Sequence, residues 1–507
     1  MSDTLATLLA SGAEDAPALS APGRPTLSHG DLRRLIATTL GRLNGLGIGR
    51  NDRVAIVLDN GPEMAACFIA CASGVTSAPL NPAYRADEFE FYLSDLDAKA
   101  LVVAQGSASP SVAVAEKLGV RLIDLVVDAG AAAGAFRLVP RGGDAPPVAP
   151  VYAQPDDVSM LLHTSGTTSR PKIVPLSQGN LAASARHIGR TLAFTPADCG
   201  LNIMPLFHIH GLIAGVLSPL AAGSQVFCTP GFNALKFFGW MEEARPTWYT
   251  AVPTMHQAIL SRAGKNAETI SRFPLRFIRS SSSSMPPQVI RELEEVFKAP
   301  LIESYGMTEA THQMASNPLP PAVRKPGSVG IAAGPEVRIM GEDGSLLAAG
   351  EIGEIVIRGP NVTRGYLNNE KANAEGFRNG WFRTGDQGVM DEEGYVSLTG
   401  RLKEIINRGG EKVSPREVDE VLMDHPAVAQ VVCFGMPHPK LGEEVAAVVV
   451  LREGQQATER DLQAFLGTRL ADFKVPKKIL FMDEIPKGAT GKLQRIGLAQ
   501  KLGLGAA

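Results

Sequence analysis

A ten-residue segment at positions 163–172 concentrates hydroxyl side chains around a glycine and ends in a lysine; it reads HTSGTTSRPK. Hydroxyl groups and backbone N–H groups can surround phosphate oxygens, and a lysine can neutralise their charge. The spacing is not that of a P-loop, because no glycine directly precedes Lys172. Taken alone, a run of this kind is more often a polar loop than a phosphate site.

Four further short segments follow in order along the chain: YGMTE at 305–309, TGD at 384–386, GR at 400–401 and PKGATGK at 486–492. Together with residues 163–172 they resemble the motifs of the adenylate-forming superfamily, which includes acyl-CoA synthetases, aryl-CoA ligases, luciferases and amino-acid adenylation domains. The resemblance extends from about Thr26 to about Arg495. Each motif alone is weak evidence, whereas five in the family's order leave little room for coincidence. The resemblance implies that the protein activates a carboxylic acid with ATP and then passes the acyl group to coenzyme A.

The resemblance implies roles for the phosphate-binding residues. The residues expected to hold the β- and γ-phosphates, which leave as pyrophosphate, are Thr164, Ser165, Gly166, Thr167, Thr168 and Lys172. Thr308 is expected to contact the α-phosphate. Glu309 is expected to hold the Mg²⁺ ion that bridges the phosphate oxygens, a role that suits a carboxylate.

Three residues are implied to bind the nucleoside. Tyr305 is expected to lie against the adenine, and Arg401 is expected to reach the ribose from the interdomain side. Asp386 is expected to accept hydrogen bonds from the ribose hydroxyls. On its own Asp386 would be interpreted as a turn residue after Gly385, and only the ordered set of motifs favours the ribose role.

Two lysines are implied to act in the two half-reactions. Lys492 resembles the catalytic lysine of the family, whose charge lies between the attacking carboxylate oxygen and the α-phosphate in the transition state. Lys403 resembles the hinge at which the small domain rotates after adenylation. Residues 409–414 would then help line the path of the pantetheine arm.

The sequence departs from the family pattern in the phosphate loop. Ser169 and Ile173 stand where relatives usually have glycine. Ile173 cannot take the left-handed conformations open to glycine without cost, which bears on loop mobility and ATP affinity.

Polar residues in the expected acid pocket favour a small polar substrate. Pockets for long-chain and aryl acids are lined by small or apolar residues, whereas the segments here are FHIH at 207–210, SSSSS at 280–284 and ATHQ at 310–313. Buried polar groups need partners, and a second carboxylate on the substrate would supply them.

Several local sequences also resemble one subgroup of the superfamily, the oxalate–CoA ligases. The matching segments are residues 163–172, 248–254, 308–312 and 407–412. We therefore predict that oxalate is the acid and that His208, Ser282 and His312 contact it.

Four alternatives remain open. The first is the same chemistry on an aryl, medium-chain or malonate acid. The second is amino-acid adenylation, although GFNA at 231–234 lacks the aspartate that would bind a substrate ammonium group. The third is a luciferase-like oxygenase, which shares the nucleotide motifs. The fourth is a nucleotide-binding regulatory protein without turnover, and the presence of both Glu309 and Lys492 argues against it.

The elements that must position these residues alternate between strand and helix. Strand patterns at 54–58 and 100–103 flank helix patterns at 62–73 and 85–96. This alternation predicts an α/β fold with parallel or mixed sheets covered by helices. Residues 104–118 and 129–150 are rich in Ala, Gly, Ser and Pro, and we interpret them as surface connections.

The strongest break in the pattern lies near residue 400. We predict a large N-terminal domain at 1–402 with the ATP and acyl sites, and a small mobile α+β domain at 403–507 with the catalytic lysine.

The composition indicates which classes of function to set aside. Of 507 residues, 45% are hydrophobic and 20% are charged, which is typical of a globular protein. A net charge of −3 gives no argument for nucleic acid, and we expect no membrane span. Five scattered cysteines without a C-x-x-C pair predict neither a disulfide framework nor a zinc site. We expect a cytoplasmic protein; the oligomeric state does not follow from the sequence.

Overall fold

The computed structural model describes residues 4–164, 171–486, 493 and 495–504. The β-strands of these residues are β1 Pro17–Ser20, β2 Leu27–Ser28, β3 Arg53–Val57, β4 Thr76–Pro79, β5 Ala100–Ala104, β6 Arg121–Val126, β7 Arg137–Pro140, β8 Val158–Thr164, β9 Lys172–Ser177, β10 Cys199–Asn202, β11 Gln225–Cys228, β12 Trp248–Ala251, β13 Phe277–Ser280, β14 Leu301–Met307, β15 His312–Ser316, β16 Ile331–Ala332, β17 Glu336–Met340, β18 Ile352–Arg358, β19 Phe377–Arg378, β20 Trp381–Met390, β21 Val396–Arg401, β22 Ile406–Arg408, β23 Glu411–Val413, β24 Val428–His438, β25 Gly442–Leu451 and β26 Lys478–Phe481.

Helices cover and connect the strands. The α-helices are α1 Leu5–Leu8, α2 His29–Gly45, α3 Pro62–Ala72, α4 Ala86–Asp95, α5 Pro110–Leu118, α6 Gln178–Thr191, α7 Ser218–Ala221, α8 Phe237–Ala244, α9 Pro253–Ala263, α10 Ala267–Arg272, α11 Pro287–Phe297, α12 Glu370–Gly376, α13 Pro415–Met423, α14 Glu459–Gly467 and α15 Leu498–Lys501.

Two large sheets form the N-terminal part. The first has the strand order β7-β6-β5-β3-β4-β8-β9 and is parallel except at its two ends. The second has the order β16-β15-β14-β13-β12-β10-β11-β1-β2. The six strands from β14 to β1 in this order run parallel to one another. The α/β fold that the sequence predicts is thus confirmed.

The main core lies between these two sheets. Helix α3 contacts β3, β4 and β8 of the first sheet and β11 of the second. Every side chain of α3 except that of Glu63 is buried. A helix that is apolar on all sides is stable only when it is enclosed, so α3 fixes the two sheets against each other.

Two smaller sheets follow. The third is antiparallel, with the order β17-β18-β20-β19 and with β21 beside β20. The fourth has the order β23-β22-β25-β24, with β26 parallel to β25. A tight turn at residues 402–405 connects them. The predicted division at 402/403 falls inside this turn, and the independence of the two domains stays a prediction.

Two segments that we interpreted as surface connections hold regular structure, so that interpretation was wrong there. Residues 104–118 contain α5, which begins after the Ser109 cap and ends at Leu118, and the following cap residue Gly119 has a φ of 68°. Residues 129–150 contain β7, which pairs with β6. Small side chains and prolines concealed α5, because Pro110 occupies its first turn, where proline is tolerated.

The five cysteine thiols are free and buried. Among the described helices, none combines the length and the apolarity needed to cross a membrane.

Candidate active site

The candidate site lies at the carboxyl ends of parallel strands in the second sheet. Tyr305 and Glu309 stand at the end of β14, Ser282 follows β13, and His210 follows β10. The carboxyl ends of parallel strands meet at one edge of a sheet, which is where open α/β sheets bind ligands.

Asp386 is the centre of the three residues that were predicted to bind the nucleoside. Its Oδ2 accepts a hydrogen bond of 2.5 Å from the Tyr305 hydroxyl, and its Oδ1 lies 2.9 Å from Arg401 Nε. The carboxylate is 6% exposed. The structure therefore brings together the three residues that were predicted to bind adenine and ribose.

Strand pairing holds this cluster in place. Asp386 of β20 is directly opposite Arg401 of β21. Thr384 Oγ1 accepts from the Asp386 backbone N–H at 3.1 Å, and Gly385 between them has a φ of 74°, a conformation that favours glycine. The negative charge of Asp386 raises the pKa of Arg401, and burial raises the pKa of Tyr305. Both groups stay protonated and act as hydrogen-bond donors.

Glu309 lies in a single 3₁₀ turn, Thr308–Ala310, immediately after β14. Its Oε1 accepts a 2.8 Å hydrogen bond from the Tyr366 hydroxyl, and its side chain is buried. Burial raises the pKa of Glu309, whereas the Tyr366 hydroxyl and the charges of Lys172 and Arg401 act in the opposite direction. Thr308, in the same turn, is partly exposed.

Lys172 extends toward Glu309 from the other large sheet. Its Nζ lies 4.4 Å from the centre of the Tyr366 ring, a cation–π contact. Thr164 and Lys172 face each other at the ends of β8 and β9. Ser165, Gly166, Thr167 and Thr168, which the sequence predicts as phosphate ligands, lie outside the described residues.

Ile173 has a conformation that needs no glycine. It lies in β9 opposite His163, is 5% exposed and belongs to the core beside the first sheet. The cost of a left-handed backbone that we expected at this position does not arise in this structure. Ser169 lies outside the described residues.

The surroundings of Glu309 fit a magnesium ion shared with a nucleotide. Mg²⁺ is commonly held by one or two carboxylates together with substrate phosphates, and not by a cage of protein ligands. Among the described residues there is no cluster of three potential metal ligands, and Glu309 offers one buried carboxylate beside Lys172. Glu309 would hold the ion, which would neutralise phosphate charge.

A second polar cluster begins three residues after Glu309. The rings of His312 and His210 stack with their centroids 4.8 Å apart, and His210 Nδ1 lies 3.0 Å from Ser282 Oγ. His208 Nδ1 accepts from the His210 backbone N–H at 3.3 Å. The structure thus places the three predicted acid contacts around His210, which we did not predict as a contact.

The backbone of this second cluster is strained. Ser282, Thr311 and His312 have φ values of 76°, 49° and 93°, in the left-handed region that non-glycine residues rarely adopt. Such conformations each cost on the order of 1–3 kcal/mol and concentrate at functional sites. The strain supports a binding role for Ser282 and His312.

Arg279 is the residue of this cluster that sequence reasoning missed. It lies in β13, is 0% exposed, and donates from Nη2 to His312 Nε2 at 3.1 Å. In the described part of the chain, no carboxylate is paired with it. The available signal was an arginine inside the short strand sequence FIRS, in which all four residues are buried.

The remaining predicted residues lie elsewhere. Lys403 is exposed in the turn between the third and fourth sheets, two residues after Arg401 in the chain. Lys492 lies outside the described residues, so its predicted catalytic role stays a prediction.

Comparison with known proteins identifies the family. The model of the AMP-binding enzyme family matches residues 9–367, and that of the AMP-binding enzyme C-terminal domain matches residues 417–492. The chain belongs to the AMP-binding enzyme family. The first match includes residues 163–172, Tyr305, Glu309, Tyr366 and the cluster around His210, whereas Asp386 and Arg401 lie between the two matches. The second match ends at Lys492.

Relatives of this AMP-binding enzyme match nearly its whole length. It is 47% identical to an oxalate–CoA ligase of Arabidopsis thaliana, over 98% of both chains. It is 42% identical to an oxalate–CoA ligase of Saccharomyces cerevisiae, over 89% of this chain and 87% of the relative. Among solved structures, ATP-bound MatB from Rhodopseudomonas palustris superposes with a TM-score of 0.87 at 31% identity, over 99% of each chain.

Proposed function

We propose that this AMP-binding enzyme is an acid–CoA ligase that converts oxalate, ATP and coenzyme A into oxalyl-CoA, AMP and pyrophosphate. The single observation that carries the choice of acid is the buried cation Arg279, which contacts His312, three residues after Glu309 in the chain. The two oxalate–CoA ligases that align along most of the chain support the same choice. We further propose that it acts in the cytoplasm.

In the first half-reaction, a carboxylate oxygen of oxalate attacks the α-phosphorus of ATP and pyrophosphate leaves. Asp386 accepts from the ribose hydroxyls, while Thr308 and the segment around Lys172 hold the phosphates. Glu309 holds Mg²⁺, which neutralises phosphate charge when bound. Lys492 stabilises the charge that develops between the carboxylate and the α-phosphate.

The distal carboxylate of oxalate is bound by the second polar cluster. Ser282 and His312 donate to its oxygens, and His208 closes the pocket from the β10 side. A long acyl chain or an aromatic ring would leave these buried polar groups without partners, which would cost binding energy. The polar cluster therefore selects a small dianion.

In the second half-reaction, the thiol sulfur of coenzyme A attacks the acyl carbon, loses its proton and displaces AMP. We propose that residues 403–507 rotate about Lys403 between the two steps, and that residues 409–414 then line the pantetheine path. The turn at 402–405 is a suitable hinge, because a few residues between two sheets can absorb the change in backbone angles.

The decisive experiment measures both products of the purified protein with ATP, Mg²⁺ and oxalate. We expect oxalate-dependent release of pyrophosphate without coenzyme A, and oxalyl-CoA by mass spectrometry when it is added. Pyrophosphate without thioester would indicate adenylation for another acceptor. No pyrophosphate with any acid would indicate a binding protein and would contradict the proposal.

A further inference from the structure

Arg279 is fully buried and has no carboxylate partner among the residues that the structure describes, which calls for an explanation. Arg279 Nη1 approaches His210 Nε2 at 3.3 Å and Thr250 Oγ1 at 3.5 Å, and its Nη2 approaches His312 Nε2 at 3.1 Å and Gln313 Oε1 at 3.3 Å. Its Nε has no partner within the described chain. A buried cation surrounded only by neutral groups is costly to maintain.

The neutral partners are fixed in orientation by their own contacts. Gln313 Nε2 donates to the Ala333 carbonyl at 3.0 Å and to Thr191 Oγ1 at 3.1 Å, so its Oε1 must face Arg279. A guanidinium has donors and no acceptor. Every atom that it approaches must therefore accept.

This constraint sets the protonation of the two histidines. Arg279 requires a lone pair on Nε2 of both His210 and His312, so each ring is neutral with its proton on Nδ1. Thr250 Oγ1, which accepts from Arg279 and lies 2.7 Å from His210 Nε2, then donates its own proton to that nitrogen. Burial lowers the pKa of Arg279 to about 9, which leaves the guanidinium charged at neutral pH.

The same constraint orients the hydroxyl of Ser282. The His210 Nδ1–H donates to Ser282 Oγ, which lies 3.0 Å away. Ser282 Oγ then accepts from His210, and its own proton points away from His210. A chain of donors thus runs from the buried arginine through an imidazole to a hydroxyl that can donate to a carboxylate.

Resting on the function proposed above, we propose that Arg279 is a positioning residue that makes the acid site selective for a dianion. It does not touch the acid, because it is 0% exposed. It supplies the positive charge opposite the distal carboxylate and holds the imidazole and hydroxyl donors in the orientation that this carboxylate needs. In a buried site this charge is screened little, so its effect on a dianion is large.

The test compares oxalate with oxamate, an isosteric acid in which a neutral amide replaces one carboxylate. We expect the wild-type protein to prefer oxalate by about 100-fold in kcat/KM, since a charged hydrogen-bonded partner is lost in oxamate. We expect Arg279→Met to reduce this ratio by about 30-fold or more, chiefly through the KM for oxalate, with the KM for ATP little changed.

Two further variants separate charge from structure. Arg279→Lys retains the charge and should keep most of the preference. Arg276→Met is the matched control: Arg276 lies three residues earlier and is paired with Asp198 at 3.0 Å, so its loss should lower thermal stability without changing the ratio.

The outcomes divide cleanly. The inference is overturned if Arg279→Met keeps the wild-type ratio of kcat/KM for oxalate to kcat/KM for oxamate, which includes the case in which both values fall equally. If that variant does not fold, a wild-type protein that uses oxamate as well as oxalate overturns it without any variant. A wild-type protein that makes no thioester from oxalate refutes the proposed function itself, whatever the variants do.

Discussion

Asp386 accepts hydrogen bonds from two protein donors and keeps acceptor capacity for the ribose that we propose it binds. A carboxylate has about four lone-pair positions, and Tyr305 and Arg401 occupy two of them. The remaining positions suit the two ribose hydroxyls. The carboxylate of Asp386 is therefore a charged hydrogen-bond acceptor whose position is fixed by the protein before a ligand binds.

Removing that charge tests the assignment. In Asp386→Asn we expect the KM for ATP to rise about 10- to 100-fold, because hydrogen bonds to a charged group are lost, with a smaller change in the KM for oxalate. The matched control is Asp391→Asn on the same hairpin, where the carboxylate pairs with Lys325 at the surface. An unchanged KM for ATP in Asp386→Asn would show that the ribose is bound elsewhere.

The role of Lys492 is tested by separating the half-reactions. Lys492→Ala should slow pyrophosphate release about 100-fold or more, because a charge aimed at the transition state is lost. Thioester formation from synthetic oxalyl-adenylate should remain within about 3-fold of wild type, since the thiol step does not use that charge. Lys478→Ala, in β26, serves as the control. Equal loss in both steps would contradict this role.

At the scale of elements, β14 connects the active site to the C-terminal part. Its carboxyl end carries Tyr305 and Glu309, and its middle carries the buried Glu303, whose Oε2 accepts from the Gly327 N–H at 3.1 Å. Burial raises the pKa of Glu303 to about 8, Arg416 lowers it, and Glu420 and Glu294 raise it. Arg416 and Glu420 belong to α13, so the pKa of Glu303 depends on how the C-terminal part packs against the N-terminal part.

This pKa predicts how stability depends on pH. A raised pKa favours the protonated folded state, so the contribution of Glu303 is complete below about pH 4.5 and is lost progressively up to about pH 8, by about 4 kcal/mol. Glu303→Gln keeps the acceptor and removes the titration. We expect the thermal midpoint of the variant, measured relative to that of wild type, to rise between pH 5 and pH 8. Parallel pH profiles would contradict the assignment.

Most elements were predictable from the sequence, for identifiable reasons. Strand β3 has an uninterrupted apolar run, and α3 has proline in its first turn and a glycine soon after its end, so both were found nearly to the residue. Helix α5 was missed because its buried face consists of small residues such as Ala115 and Ser111, which give little periodic signal.

The site was predictable only where motifs are continuous in sequence. Tyr305, Glu309 and Asp386 lie in short recognisable segments. Arg279 carries no such motif, and its meaning depends on tertiary contacts with His210 and His312, which lie 69 and 33 positions away along the chain. Sequence can suggest a polar pocket, but only the fold shows that Arg279 has no carboxylate partner within the described part of the chain.

At the scale of the whole molecule, the turn at residues 402–405 stands between the third and fourth sheets. Arg495, three residues after Lys492, pairs with Glu404 at 3.1 Å and with Asp419 at 2.9 Å. Glu404, in the turn that we propose as the hinge, is therefore joined by an ion pair to a residue three positions after Lys492, the lysine that we propose as catalytic. Rotation about Lys403 would move both together.

Restricting the hinge should separate the two steps. Lys403→Pro fixes one backbone angle, so we expect thioester formation to fall about 10-fold more than adenylation. Lys403→Ala removes the same side chain without that restriction and should change the two rates far less. If the proline variant slows both steps equally, or if the alanine variant reproduces its effect, the hinge proposal fails.

The most direct test of the account is kcat/KM for thioester formation across oxalate, malonate, acetate, octanoate and 4-coumarate, with ATP, Mg²⁺ and coenzyme A. The buried cation beside Ser282 and His312 predicts a clear preference for oxalate, with malonate second among these acids. A preference for octanoate or 4-coumarate would retain the ligase chemistry but contradict the claim that this cluster selects the acid.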